Sequence, residues 1–125
     1  MKLRIKGNSI RLRVMRSELE DLQRGVQLEE SVRFAPDVAL RYTLGVADLN
    51  QPVAVSFASS EIATIISHAQ LASWSSPEQV GIYGSLPIDT LSSLEFAIEK
   101  DFACLDGTEE ENADAFAHPL LGASC

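Results

Sequence analysis

A chain of 125 residues is the usual size of one domain and long enough to bury a core, and a composition 46% hydrophobic and 22% charged argues against disorder for all but the C-terminal end. A net charge of −8 disfavours nonspecific binding to nucleic acid or an anionic membrane, and no apolar run is long enough to span a bilayer. Met1-Lys2-Leu3-Arg4 enters an alternating pattern with no signal-like stretch, and Cys104 and Cys125 suggest no disulfide framework, so a cytoplasmic location is expected.

Leu3, Ile5, Ile10 and Leu12 alternate with charged residues on both sides of Gly7-Asn8, which predicts a β-hairpin over residues 2–14. A two-residue primed turn with positive φ at Gly7 sets Lys6 against Ser9, Ile5 against Ile10, Arg4 against Arg11, Leu3 against Leu12 and Lys2 against Arg13. The four apolar residues then share a face expected to be buried. Ser17 and Glu20 have capping-box spacing, Leu19 and Leu22 make a short stripe, and Gly25 is placed to end a helix, which predicts helix over 18–24. Val26, Leu28, Val32 and Phe34 alternate with polar residues, as do Val38, Leu40, Tyr42 and Leu44. These make a second hairpin around a three-residue loop, Ala35-Pro36-Asp37, with Glu30 interrupting the apolar face.

Asp48 to Pro52 read as a loop, and Val53, Val55 and Phe57 as a strand. Ser60 could cap one long helix, but the β-branched cluster Ile62, Thr64, Ile65 and Ile66 fits a buried strand over 61–66 better. A short helix from His68 to Trp74 follows, with Ser67 and Gln70 as its capping box and Leu71 and Trp74 as core anchors. Gln79 to Tyr83 make a strand bounded by Pro77 and Gly84, and Leu94, Phe96 and Ile98 alternate in the last one. After Leu105 the composition turns small and acidic, giving an acidic C-terminal tail over about 106–125. Hairpin-length connections outnumber crossovers. The expected fold is therefore a single α+β domain over 1–125. Its sheet is mostly antiparallel, a curled sheet or partial barrel of seven or eight strands, with two short helices.

Leu3-Arg4-Ile5-Lys6-Gly7-Asn8-Ser9-Ile10-Arg11-Leu12-Arg13, Gln79-Val80-Gly81-Ile82-Tyr83-Gly84, Ile98-Glu99-Lys100-Asp101-Phe102-Ala103-Cys104-Leu105 and Glu111-Asn112-Ala113-Asp114-Ala115-Phe116 together resemble an uncharacterised family of small bacterial proteins, a domain of unknown function. That resemblance implies a bacterial, one-domain protein and brings no substrate or catalytic residue. A basic hairpin also invites comparison with triphosphate-tunnel enzymes, whose first strand is similar to Glu-x-Glu-x-Lys. Lys2-Leu3-Arg4-Ile5-Lys6 lacks both metal-binding acids, so that chemistry does not carry over.

Charge is unevenly distributed. Residues 1–16 hold Lys2, Arg4, Lys6, Arg11, Arg13 and Arg16 and no acid, whereas 78–125 hold ten acids against Lys100. The hairpin register places Arg4 beside Arg11 and Lys2 beside Arg13, and like charges opposite each other destabilise a sheet. Something negative is expected over that face, with neutralisation by the acids of the chain's own last third the cheaper arrangement, and a partner's carboxylates or a phosphate-type anion clasped by guanidinium groups as the alternatives. Asp101, Cys104, Asp106, Asp114 and His118 are metal-capable types at spacings that match no zinc or calcium pattern, so no metal site is assigned. No Gly-x-Ser-x-Gly elbow accompanies His68 or His118, and phosphate-binding Gly-rich loops are missing, so no catalytic residue or cofactor is assigned. Glu95 and Glu99, on one strand face either side of Ala97, have a spacing that could hold paired carboxylates but read better as an exposed polar face. A buried Glu30 carboxyl would have a perturbed proton affinity.

The expected function is a noncatalytic bacterial binding or interaction module. Its basic hairpin face, at Lys2, Arg4, Arg11 and Arg13, engages acidic groups of a second copy or of an acidic protein partner. The alternative is a small enzyme or ligand-binding barrel for a phosphorylated or carboxylated metabolite, with the same four cations clamping the small anionic ligand.

Overall fold

Gly7 adopts φ +55° and Asn8 stays at negative φ, so the first hairpin closes through a two-residue type II′ turn. β1 (Lys2–Lys6) and β2 (Ser9–Val14) pair in the predicted register, from Lys2 opposite Arg13 to Lys6 opposite Ser9. The computed structural model describes residues 1–102 and 113–116. Cys104 and all of the expected tail except its residues 113–116 lie outside that description.

The remaining elements in chain order are α1 (Arg16–Gln23), β3 (Leu28–Ala35), β4 (Val38–Ala47), β5 (Val53–Ala58), β6 (Glu61–Ser67), α2 (His68–Trp74), β7 (Gly81–Pro87) and β8 (Ser93–Lys100). The strands form two four-stranded sheets, β1-β2-β8-β7 and β3-β4-β6-β5. Each consists of two antiparallel hairpins joined along one parallel seam, β2 with β8 and β4 with β6. The expected α+β class with mostly antiparallel pairing holds, and neither sheet closes into a barrel. Contacts gather the described residues into two compact units with one sheet apiece, Met1 with Glu20–Gln79, and Lys2–Leu19 with those from Val80 onward.

In the first of these units, Leu28, Leu44, Val53, Thr64 and Ile66 share one sheet face and are buried, as are Leu71 and Trp74 of α2. Ser67 caps α2 by accepting from the Gln70 N–H at 3.1 Å, over the predicted span. The far end of the same face is uncovered: Val32, Val38 and Phe57 are exposed, as is Phe34 within the irregular stretch between Arg33 and Ala35. Alternation thus identifies the face but not how much of it is buried. The β3–β4 hairpin turns at Pro36-Asp37, with Ala35 paired to Val38 and an irregularity between Arg33 and Ala35, in place of the expected three-residue loop. Glu30 stands opposite Tyr42, as the pattern requires, but it is exposed and lies 3.6 Å from the Met1 ammonium. The β5–β6 turn is built from Ser59 and Ser60, both in the left-handed region at φ 52° and 60°.

In the other unit, Leu12, Val14, Ile82, Phe96 and Ile98 are buried. Ile5 is not. It sits on edge strand β1 beside the turn, 58% exposed, and Leu3 and Ile10 are only half-buried, which corrects the expectation that the hairpin's apolar face is buried throughout. β7 starts at Gly81 and continues past Gly84 to Pro87. Gly84 does not end the strand; it admits the Phe96 ring, whose Cζ would lie 2.7 Å from an added Cβ.

α1 begins earlier than its expected cap. Glu18 accepts from the Met15 N–H at 2.9 Å, the reach-back of a capping box shifted by two residues. The missing cap comes from Asp114: its Oδ1 accepts from the Ser17 N–H at 3.0 Å, its Oδ2 from the Ser17 hydroxyl, and its carbonyl from the Arg16 N–H at 3.0 Å. Gly25, at φ +82°, ends the helix as expected, with Gly25 N–H on the Leu22 carbonyl and Val26 N–H on the Asp21 carbonyl, a Schellman arrangement.

Candidate functional site

Alternation puts every second residue of adjacent strands on one face, and across β1-β2-β8-β7 this yields three rows. The rows are Lys2, Arg13, Glu99 and Gly81; then Arg4, Arg11, Ala97 and Tyr83; then Lys6, Ser9, Glu95 and Ser85. The four expected cations therefore stand together, with Lys6 as a fifth. Carboxylates enter the face through the parallel seam, from a strand more than eighty residues away in the chain.

Glu99 is where the face converges. Its side chain is only 16% exposed, Arg11 Nε lies 2.9 Å from its Oε1, and the Tyr83 hydroxyl donates to its Oε2 at 2.7 Å. Arg11 meets the carboxylate off the hydrogen-bond line, so buried Oε1 accepts no hydrogen bond. Desolvation, then the hydrogen bond to Glu99 and its negative charge, push Tyr83 up to about 12, opposed by Arg11 and Arg13. Gly81 makes this reach feasible, because a Cβ there would stand 2.8 Å from the Ile98 carbonyl oxygen and 2.9 Å from the Tyr83 hydroxyl. The expected exposed pair is thus split, with Glu95 in solvent and Glu99 largely buried.

Lys2 pairs with Asp101, Nζ to Oδ2 at 2.9 Å, and Asp101 is buried. The Asp101 N–H donates to the Val14 carbonyl and its own carbonyl accepts from the Phe116 N–H, both at 2.9 Å. Next to it, Lys100 is buried with its ammonium 5.4 Å from the Phe116 ring centroid, and desolvation lowers its pKa. By contrast, Arg4, Lys6 and Arg13 have no side-chain ion pair or hydrogen bond among the described residues. Beside Arg4, Lys6 and Arg11, with Ser9 and Glu95, a groove of about 280 Å³ opens where Ala97 leaves the middle row short. The Ser9 hydroxyl donates to the Lys6 carbonyl at 2.6 Å.

Of the metal-capable residues, Asp101 and Asp114 are committed to Lys2 and to α1, and Cys104, Asp106 and His118 fall outside the described residues. Among the described residues no three His, Cys, Asp or Glu side chains gather. His68 is exposed, its Nε2 3.6 Å from Asp48. Sequence reasoning did not bring Tyr83, Asp101 or Asp114 to their places, because each depends on a contact between distant segments. Lys6 was legible from the alternation alone.

No helix among the described residues is long and apolar enough to cross a membrane. Compared with known families, the chain matches over residues 1–120 a family described as of unknown function. It belongs to DUF7009. Membership of DUF7009 agrees with the resemblance seen in the motifs and assigns no ligand or reaction. No curated protein and no solved structure matches the chain.

Proposed function

We propose that this member of DUF7009 is a noncatalytic interaction module that holds acidic groups of a partner against its basic hairpin face. Arg4, Arg13 and Lys6 meet those groups, and Lys2 and Arg11 are held in place beside them by Asp101 and Glu99. One observation carries the reading: on a single sheet face two cations are paired internally and three adjacent ones have no anion among the described residues. Adjacent like charges in water repel by a fraction of a kcal/mol up to about 1 kcal/mol, which solvent tolerates and an acidic partner relieves. The groove lining holds no histidine or cysteine, and Ser9 donates its proton to a carbonyl, which favours holding an anion over chemistry on it.

The groove of about 280 Å³ supports a second reading, a phosphorylated or carboxylated metabolite bound beside Arg4, Lys6 and Arg11. Thermal shift with polyglutamate, inorganic phosphate, pyrophosphate and citrate separates the two, because a ligand of the folded state raises its melting temperature. Polyglutamate is expected to stabilise the wild type at low salt, to lose that effect at about 1 M salt, and to fail with Arg4→Glu/Arg13→Glu. A shift from the small anions alone favours the metabolite. No shift from any of them rejects both. If Arg4→Glu lowers the native mass, the acidic partner is a second copy.

A further inference from the structure

β1 is the terminal strand of its sheet. Across a two-residue turn the flanking residues form a hydrogen-bonded pair and such pairs recur every second residue, so Lys6, Arg4 and Lys2 bond inward to β2. The N–H and C=O groups of Leu3 and Ile5 therefore point outward from the edge, and no hydrogen bond occupies them among the described residues. Above that edge stand Lys2, Arg4 and Lys6; below it stand Leu3 and an Ile5 that is 58% exposed.

The other flank of the same hairpin shows what such an edge accepts. β8 brings Glu95-Phe96-Ala97-Ile98-Glu99 alongside Ser9–Arg13, with its glutamates on the basic face and Phe96 and Ile98 on the apolar face. The hairpin is thus flanked on one side by a strand that alternates acidic and apolar residues, and on the other by an edge of complementary pattern that no strand among the described residues covers. A second copy's β1 does not fit there, because antiparallel pairing would set Lys and Arg against Lys and Arg.

We infer that β1 is a strand-addition site for an extended partner segment that alternates acidic and apolar residues over about five positions. Its backbone pairs with Leu3 and Ile5, its acids face Lys2, Arg4 and Lys6, and its apolar side chains cover Ile5. This inference rests on the proposed engagement of acidic groups and adds the mode and the segment's pattern.

The test uses a synthetic peptide of alternating glutamate and valine, a peptide of the same composition with its glutamates in one block, and the alternating peptide N-methylated on the amides that would pair with Leu3 and Ile5. Titration of the whole chain is followed by NMR hydrogen exchange. The alternating peptide is expected to bind, to slow exchange at the Leu3 and Ile5 amides, and to bind at least tenfold more tightly than the other two. Ile5→Pro removes only an outward N–H and is expected to keep the fold and lose the peptide. Arg4→Glu is expected to weaken the glutamate peptide and to accept a lysine-valine one. Equal binding of all three peptides overturns strand addition while leaving the acidic-partner reading intact. Binding of pyrophosphate with no binding of any peptide overturns both.

Discussion

Replacing Tyr83 with Phe removes one hydroxyl and keeps the ring. The lost bond is a 2.7 Å donation to a largely buried carboxylate whose other oxygen already accepts no hydrogen bond, so Glu99 would be left with the Arg11 ion pair alone. A hydrogen bond to a charged group contributes roughly 1.5–3 kcal/mol. Water can reach part of this cluster, because Tyr83 as a whole is 57% exposed, so the expected loss at neutral pH is about 1–1.5 kcal/mol. The same contact has a pH signature. Tyr83 titrates at about 12 in the fold against about 10 when unfolded, so the folded state holds the phenol proton more tightly. Its stabilisation is complete below pH 10 and is lost as pH rises from about 10 to about 12. A shift of that size corresponds to at most about 2.7 kcal/mol, reduced by solvent screening to roughly 1 kcal/mol. Urea titrations of wild type and Tyr83→Phe across that range measure the difference, tyrosinate absorbance reports the ionisation, and a double-mutant cycle with Glu99→Gln isolates the pair. If Tyr83→Phe lies within about 0.3 kcal/mol of wild type and the high-pH absorbance step is unchanged by it, the assigned bond is wrong.

Three further outcomes follow from the fold. Asp114→Ala removes the cap of α1 and is expected to destabilise by about 1 kcal/mol in urea, while Asp114→Asn, which can still accept from the Ser17 N–H, retains most of the stability. Equal losses would mean that the charge, not the cap, matters. Ser59→Asn with Ser60→Gly relieves two non-glycine residues at positive φ and is expected to raise stability by about 1–2 kcal/mol by calorimetry; a lower melting temperature would contradict the turn. Gly81→Ala places a Cβ 2.8 Å from a backbone oxygen and 2.9 Å from the Tyr83 hydroxyl. It is expected to cost about 1–3 kcal/mol and to abolish the high-pH tyrosine step, whereas loss of stability with that step intact would remove Gly81 from the Tyr83 geometry.

Which features were legible depends on how far apart in the chain their causes lie. The β1–β2 register followed from Gly7 and the alternation around it, since a two-residue turn leaves one pairing that keeps apolar residues on one face. α2 followed from Ser67 and Gln70, and the end of α1 from Gly25, because capping is decided within a few residues. The shared face of Lys2, Arg4, Arg11 and Arg13 was legible for the same reason.

The start of α1 was not, because Asp114 reaches it from 97 positions away and no local spacing announces such a cap. Nor was the state of the basic face. Local pattern places its cations; the parallel seam with β8 decides that Glu99 takes Arg11, and the residue just beyond that strand, Asp101, takes Lys2. The same limit governs burial. Ile5 and Leu12 occupy equivalent positions in the alternation, yet one is 58% exposed and the other 1%, because Leu12 lies between two neighbouring strands and Ile5 on the sheet's outer edge. By itself, then, the sequence determined hairpins, caps and the sidedness of charge, which short-range backbone geometry dictates. Tertiary structure alone decided strand order across the parallel seams, and through it which cations are neutralised and which apolar residues are covered, because these depend on segments that only folding brings together.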